Sequence, residues 1–362
     1  MARLRPRPGI LEIEPYVGGK AELAGVARAV KLSANESPLG PSPHAIAALQ
    51  AVAPEAHRYP DGSAERLRRT IGDRFDLDPE RIVCGAGSDE LIQLLMRAYA
   101  GAGDEVLYSA HGFLMFKLSA LGVGATPVAA PEHALTADVD ALLARLSSRT
   151  RLVFVANPNN PTGSYLDAAE LARLHAGLPE DVLLVIDAAY AEYVRRNDYT
   201  AGMDLVDRAD NVVMTRTFSK LFGLAALRLG WLYAQPPVVD VLHRIRGPFN
   251  VGTPAQVAGV AALEDLEHQE RARAHNERWL PWLAQQLSDL GLEVHPSVAN
   301  FVLVSFAEGD ARGAAAASVW LEQRGIIARA MAAYGLPDCL RLSVGLEDEN
   351  RAAVAALKEF MA

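Results

Sequence analysis

The sequence predicts an α/β fold: a mainly parallel, seven-stranded sheet covered by helices on both faces, followed by a smaller α+β unit. Three observations lead there. Short apolar runs alternate with amphipathic helical segments from Arg81 to Tyr233. Polar residues with chemical potential gather where those apolar runs end, as they do in open parallel sheets. A long helical stretch rich in charge pairs, from Pro254 through Leu290, then separates the alternating part from two further strand-like runs. With 362 residues, 50% hydrophobic and 22% charged, the chain is too long for one small core, and two domains are expected.

Taken in order, residues 1–31 are rich in Pro and Gly and read as an arm that packs on a neighbour. A large domain spans 32–253, and the linking helix with a small C-terminal domain spans 254–362. After a Pro turn at RYPDG comes a helix over Ser63 to Arg74. Strands are predicted at Ile82–Gly85, Glu105–Ser109, Thr126–Ala129, Leu152–Ala156, Leu183–Asp187, Val212–Thr217 and Leu229–Tyr233, with helices such as Ala168–Ala176 between them. The small domain carries strands at Asn300–Phe306 and Cys339–Val344. The alanine-rich stretches, for example Ala314 to Ala317, fall within helical patterns and make no repeat of fixed period.

The net charge of −9 argues against a nucleic-acid partner, which calls for a basic face, and favours small-molecule chemistry. The two cysteines, Cys84 and Cys339, lack C-x-x-C spacing and sit in apolar runs, so they read as reduced packing residues. Nine histidines form no metal-binding pattern, and no metal is expected. The N-terminus has no apolar core suited to a signal peptide, and no later run reaches membrane-spanning length, so a cytoplasmic protein is expected.

The chemistry centres on Thr215 to Gly230, TRTFSKLFGLAALRLG. Lys220 stands beside the hydroxyls of Thr217 and Ser219, and Arg228 supplies a guanidinium fork suited to phosphate. A lysine amine made nucleophilic by its surroundings next to a phosphate site suits an aldehyde that carries a phosphate. A solvated Lys and Arg on an amphipathic loop is the alternative. Three further stretches favour the site. NPNNPTG, Asn157 to Gly163, places Asn160 at a strand's carboxyl end. VLLVIDAAY ends a buried strand in Asp187 and then Tyr190, and a buried acid needs a cation. GAGSDE, Gly85 to Glu90, turns a strand into a helix whose backbone N–H groups at Ser88 and Asp89 suit a phosphate, the carboxylates of Asp89 and Glu90 turning away. A dinucleotide fold is the competing reading of GAG, but Glu90 stands where the third glycine belongs. In the C-terminal part, Arg341 interrupts the apolar strand CLRLSVG, and a buried guanidinium needs an anion.

These stretches, with LSANESPLGP (Leu32 to Pro41), RYPDG (Arg58 to Gly62), RTFSK and YGLPDCLRLSVG (Tyr334 to Gly345), resemble the fold-type I enzymes of pyridoxal 5'-phosphate (PLP), and more closely the histidinol-phosphate aminotransferase family. The resemblance covers nearly the whole chain. It implies a PLP-binding large domain and a homodimer with small-molecule substrates. Lys220 would bond to PLP and then move the proton between substrate and cofactor carbons. Asp187 would hold the protonated pyridine nitrogen, and Asn160 and Tyr190 the phenolic oxygen. Ser88, Asp89, Thr217, Ser219 and Arg228 would hold the phosphate, and Phe113 would stack on the ring. Tyr59 would cross from one subunit to the other's PLP phosphate, Tyr16 would lie on the substrate side, and Arg329 with Arg341 would take the substrate's anionic end. The implied reaction passes the amino group of L-histidinol phosphate to 2-oxoglutarate, giving imidazole acetol phosphate and L-glutamate in histidine biosynthesis. The alternatives are an aromatic amino acid (Phe/Tyr) aminotransferase, a threonine-phosphate decarboxylase and a PLP-sensing regulator without turnover, the last disfavoured because only the arm precedes Leu32. Two departures, Ala188 for the family's Glu and Ala226 for its Gly, bear on packing and pocket shape and not on catalytic groups.

Overall fold

The structure, a computed structural model, describes all residues except 1–5, 8, 16, 17, 19, 21, 25, 27, 308 and 310. Strands β1 (Ile82–Gly85), β2 (Glu105–Ser109), β3 (Thr126–Ala130), β4 (Thr150–Ala156), β5 (Leu183–Asp187), β6 (Val212–Thr217) and β7 (Gly230–Tyr233) form one seven-stranded sheet in the order β1-β7-β6-β5-β4-β2-β3. Every pairing in it is parallel except those of β7, which runs antiparallel to both β1 and β6.

The central strands are buried along their length because both faces are covered. Side chains alternate across the sheet: Val153, Val155, Leu184 and Ile186 join one apolar cluster, while Leu152, Phe154, Leu183 and Val185 join the other. That alternation leaves the strand ends as the place for polar groups, and Asp187 is the last residue of β5.

The predicted helical stretch from Pro254 to Leu290 divides into Thr253–Glu264 and Leu266–Asp289. The break falls at Asp265, whose carboxylate accepts from His268 N at 3.0 Å and so caps the second helix. No helix among the described residues is long and apolar enough to cross a membrane.

A second, antiparallel sheet is made of β8 (Glu293–His295), β9 (Phe301–Ser305), β10 (Arg329–Ala330) and β11 (Cys339–Ser343) in the order β8-β9-β11-β10. The N-terminal segment is sewn to this C-terminal unit. Val30–Lys31 pairs in parallel with Ile326–Ile327, Leu32 N donates to Ile327 O (2.9 Å), and Ser343 N donates to Leu32 O (2.8 Å). Leu32 itself is buried among Leu342, Ile326 and Leu357 of the C-terminal unit. The next residues, Ser33 to Glu36, are thereby delivered to the ends of the large sheet's strands.

Arg216 of β6 points the other way, into the core. It pairs with buried Glu192 at 2.9 Å and lies over the rings of Phe75 and Trp231. Replacing Arg216 by Met leaves Glu192 buried without its cation, and we expect a loss of about 3–5 kcal/mol in urea unfolding. A change below about 1 kcal/mol would refute this account of the pair.

Candidate active site

A cavity of about 210 Å³ opens at the carboxyl ends of β4, β5 and β6. Lys220, Asp187, Tyr190, Asn160, Ser88, Asp89, Phe113, Thr217, Ser219 and Arg228 all line it, so residues separated by more than a hundred positions converge as the sequence predicts. Larger clefts exist, one of about 980 Å³ beside His111 and Glu132, but no lysine is among the described residues that line it.

Asp187 is buried, and Thr215 Oγ1, its neighbour in register on β6, donates to its Oδ1 at 2.9 Å. Burial pushes the Asp187 carboxyl up to about 7, against the hydrogen bond from Thr215 that pulls it down. The group is expensive to ionise there and invites a cationic partner.

Lys220 follows β6, and its Nζ donates to Ala34 O at 3.2 Å. Burial, then the charge of Arg341, pushes its amine down to about 8. Its Nζ lies 5.6 Å from the centre of the Tyr190 ring. Burial raises the Tyr190 phenol to about 12, so it stays protonated at neutral pH.

At the other end of the cavity, the helix Ser88–Tyr99 begins under Arg228. Two glycines make this approach possible. A Cβ on Gly87, which has φ of 82°, would stand 2.5 Å from Arg228 Nη2, and one on Gly230 would stand 2.4 Å from Ser88 N. Arg228, itself left-handed at φ 49°, lies within 3.4 Å of Ser219 Oγ, which accepts in turn from Thr217 Oγ1 at 3.0 Å. Backbone N–H groups, two hydroxyls and a guanidinium thus face one spot, a donor set suited to a phosphate.

The expectation that both acidic side chains turn away from this helix end holds for Glu90 and fails for Asp89. Glu90 folds back to accept from Ala86 N (2.6 Å) and Asn250 Nδ2 (2.8 Å). Asp89 instead accepts from Arg228 Nη2 at 3.0 Å. The guanidinium sits directly over the helix start, where a carboxylate on the first turn gains from both the cation and the helix dipole.

Arg341 on β11 is buried, donates to Asn160 Oδ1 and to Ser33 O (2.8 Å), and lies over the Phe301 ring. Arg329 stands opposite it in register on β10, and neither arginine is among the residues that line the cavity, although Arg341 reaches its rim through Asn160. Tyr59 is 83% exposed and stacks on Phe249, also exposed, at 4.8 Å, away from this chain's own cavity. Tyr16 lies outside the described residues. Phe113 stands at the N-terminus of the helix Leu114–Val123, lies at 88° to the ring of Phe116 and lines the cavity.

Sequence reasoning missed the part played by Ser33 to Glu36. Ala34 and Glu36 line the cavity, Ser33 O holds Arg341, and Asn35 Nδ2 donates to the Tyr190 hydroxyl at 2.9 Å. The stretch LSANESPLGP carried part of the family resemblance, but nothing in its residue types assigned a role to Ser33, Ala34 or Asn35. Among the described residues no group of three or more His, Cys, Asp or Glu is placed to hold a metal.

The model of the family Aminotransferase class I and II matches residues 27–357. The chain is 60% identical to the histidinol-phosphate aminotransferase of Paramagnetospirillum magneticum and 62% identical to that of Rhodospirillum centenum, in each case over 98% of both chains. The crystal structure of histidinol-phosphate aminotransferase from Sinorhizobium meliloti in complex with pyridoxal-5'-phosphate superposes with a TM-score of 0.89 at 30% identity, covering 99% of this chain and 98% of that one. With a match that spans nearly the whole chain, the protein belongs to the class I and II aminotransferases, among the histidinol-phosphate aminotransferases.

Proposed function

We propose that this aminotransferase passes the amino group of L-histidinol phosphate to 2-oxoglutarate, giving imidazole acetol phosphate and L-glutamate, as a cytoplasmic PLP enzyme of histidine biosynthesis. The observation that carries the reading is the cavity itself: a Lys220 amine lowered to about 8 shares it with the buried Asp187 carboxyl and a helix end prepared for phosphate. The names of the relatives at 60% and 62% identity supply the substrate.

The donor set fits PLP. Asp187 would hold its pyridine nitrogen, and Tyr190 with Asn160 its phenolic oxygen. Backbone N–H groups at Ser88 and Asp89, with Thr217, Ser219 and Arg228, would hold its phosphate, and Phe113 would cover one ring face. When bound, PLP supplies an aldehyde that bonds an amine and a protonated pyridine that accepts electron density.

The chain's own groups do the rest. A Lys220 amine lowered by burial is neutral often enough near pH 7 that it would serve as the amine an aldehyde bonds and as the base for the proton on the substrate carbon that bears the amine. Asp187, ionised beside a pyridinium, would favour the N–H form by charge. Arg341, placed by Asn160 and Ser33, would meet the anionic end of each substrate, with Arg329 on the adjacent strand as its second cation. A homodimer belongs to the proposal: the exposed Tyr59 and Phe249 pair would face the second copy and carry Tyr59 to the partner's phosphate site.

The test is a half-reaction. The PLP-loaded protein, without any oxo acid, is mixed separately with L-histidinol phosphate and with L-phenylalanine, and its visible absorption is followed. Bleaching by L-histidinol phosphate at a concentration at least about 100-fold lower is expected, because a site built around cations rejects a ligand that lacks the phosphate. Bleaching by phenylalanine alone would overturn the substrate assignment.

A further inference from the structure

We propose that Ser343 and Asn35 are positioning residues that fix the direction of the Tyr190 hydroxyl proton, turning it into the cavity. The inference rests on the proposed PLP site. It starts from one donor that cannot be reversed, a backbone N–H. Asn35 N donates to Ser343 Oγ at 2.8 Å, so that hydroxyl accepts there. Its own proton is then directed to Asn35 Oδ1, 3.1 Å away.

With Oδ1 engaged by Ser343, the amide nitrogen Nδ2 is the end that faces Tyr190, and it donates to the phenol oxygen at 2.9 Å. An amide N–H only donates, so the phenol accepts from it and keeps its own proton for another acceptor. Tyr190 lines the cavity, and there lies the direction left to that proton. A chain of three bonds thus leads from a fixed backbone amide to a catalytic hydroxyl with every donor and acceptor assigned.

The node is built to hold still. Asn35, Ser343 and Tyr190 are all buried, and Asn300 Nδ2 donates to Asn35 O at 3.0 Å. Asn35 takes a left-handed φ of 55°, which Asn and Asp tolerate better than other side chains. Its neighbours serve the same site, Ser33 O accepting from Arg341 and Ala34 O from Lys220. Hydrogen bonds from Ser343 N to Leu32 O and from Asn35 N to Ser343 Oγ tie the segment to β11, so the small sheet sets the polarity of a group that follows β5.

Asn35→Asp is the discriminating change. Nearly isosteric and tolerant of the same φ, it presents an acceptor to Tyr190 where the wild type presents a donor, and so draws the phenol proton away from the cavity. The readout is the pH midpoint of the visible absorption of the PLP-loaded protein, measured in wild type, Asn35→Asp, Tyr190→Phe and the double variant. A phenol that donates into the cavity stabilises the more negative form of the chromophore, so Tyr190→Phe raises the wild-type midpoint by about one pH unit. In the Asn35→Asp background the same change moves it by less than about a third of that. The new carboxylate's own charge acts on both members of that pair and cancels.

An equal Tyr190→Phe shift in both backgrounds would overturn the inference while leaving the proposed function intact. A wild-type protein that takes up no PLP would overturn both. Ser343→Ala frees the Asn35 amide to turn over, and it is expected to reduce the Tyr190→Phe shift in the same sense. If Asn35→Asp fails to fold, a full shift in the Ser343→Ala background rejects the assignment.

Discussion

Lys220→Ala folds, takes up PLP without a covalent link, and loses transamination by at least about 10⁴-fold, since it removes both the nucleophile and the proton carrier. The wild-type amine is pushed down to about 8 by burial and by Arg341. At pH 7 roughly a tenth of it is neutral, against less than a thousandth for an ordinary lysine. Among the described residues no other amine lines the cavity, so no neighbour substitutes. Stability does not suffer, because the change removes a half-buried cation whose charged form burial disfavours. With its pKa lowered, the cofactor-free wild type binds fewer protons than its unfolded chain between about pH 8 and 10.4, and it loses stability as pH falls through that window. The alanine variant escapes this loss and should equal or exceed the wild type in urea at pH 7. Borohydride reduction distinguishes the binding modes by fixing PLP to the wild type and leaving it removable from the variant. Turnover near the wild-type rate would remove Lys220 from the chemistry.

The large sheet was legible because its strands are buried on both faces and therefore write themselves as continuous apolar runs. Leu183–Asp187 and Val212–Thr217 are found at their predicted bounds for that reason. Thr150 and Arg151 extend β4 beyond the predicted Leu152, since a strand end can carry polar residues that no apolar pattern marks. The converging side chains were legible too, because each polar residue at a strand end breaks such a run. What one sequence could not display is contact made across the fold. The left-handed Asn35, the Ala34 carbonyl on Lys220 and the clasp of Asp89 on Arg228 depend on how two distant segments meet. Backbone carbonyls carry no residue-type signal at all, and a carboxylate that turns in reads the same as one that turns out.

Asp187→Asn is expected to lower kcat/KM by at least about 10²-fold, a loss typical for a fixed charge removed from a developing transition state. Asp187 is the buried carboxyl at the end of β5, and an amide of the same shape keeps the Thr215 hydrogen bond while losing the charge that, on the proposed function, would hold a pyridine nitrogen protonated. The cofactor-free protein gives the same change a second, opposite signature. Burial lifts the Asp187 carboxyl from 3.8 to about 7. Between those values the folded chain holds a proton that the unfolded chain has released, so wild-type stability is fullest below about pH 4 and declines as pH rises toward 7. The asparagine variant lacks that decline, and at pH 8 the cofactor-free variant should be the more stable by an amount on the order of 4 kcal/mol at most. Loading with PLP should reverse the order, because a cationic partner turns the costly carboxylate into a paired one. Urea unfolding at pH 5 and pH 8, with and without PLP, reads all four values. If the two proteins respond identically to pH and to PLP, Asp187 neither carries the burial cost nor meets the cofactor.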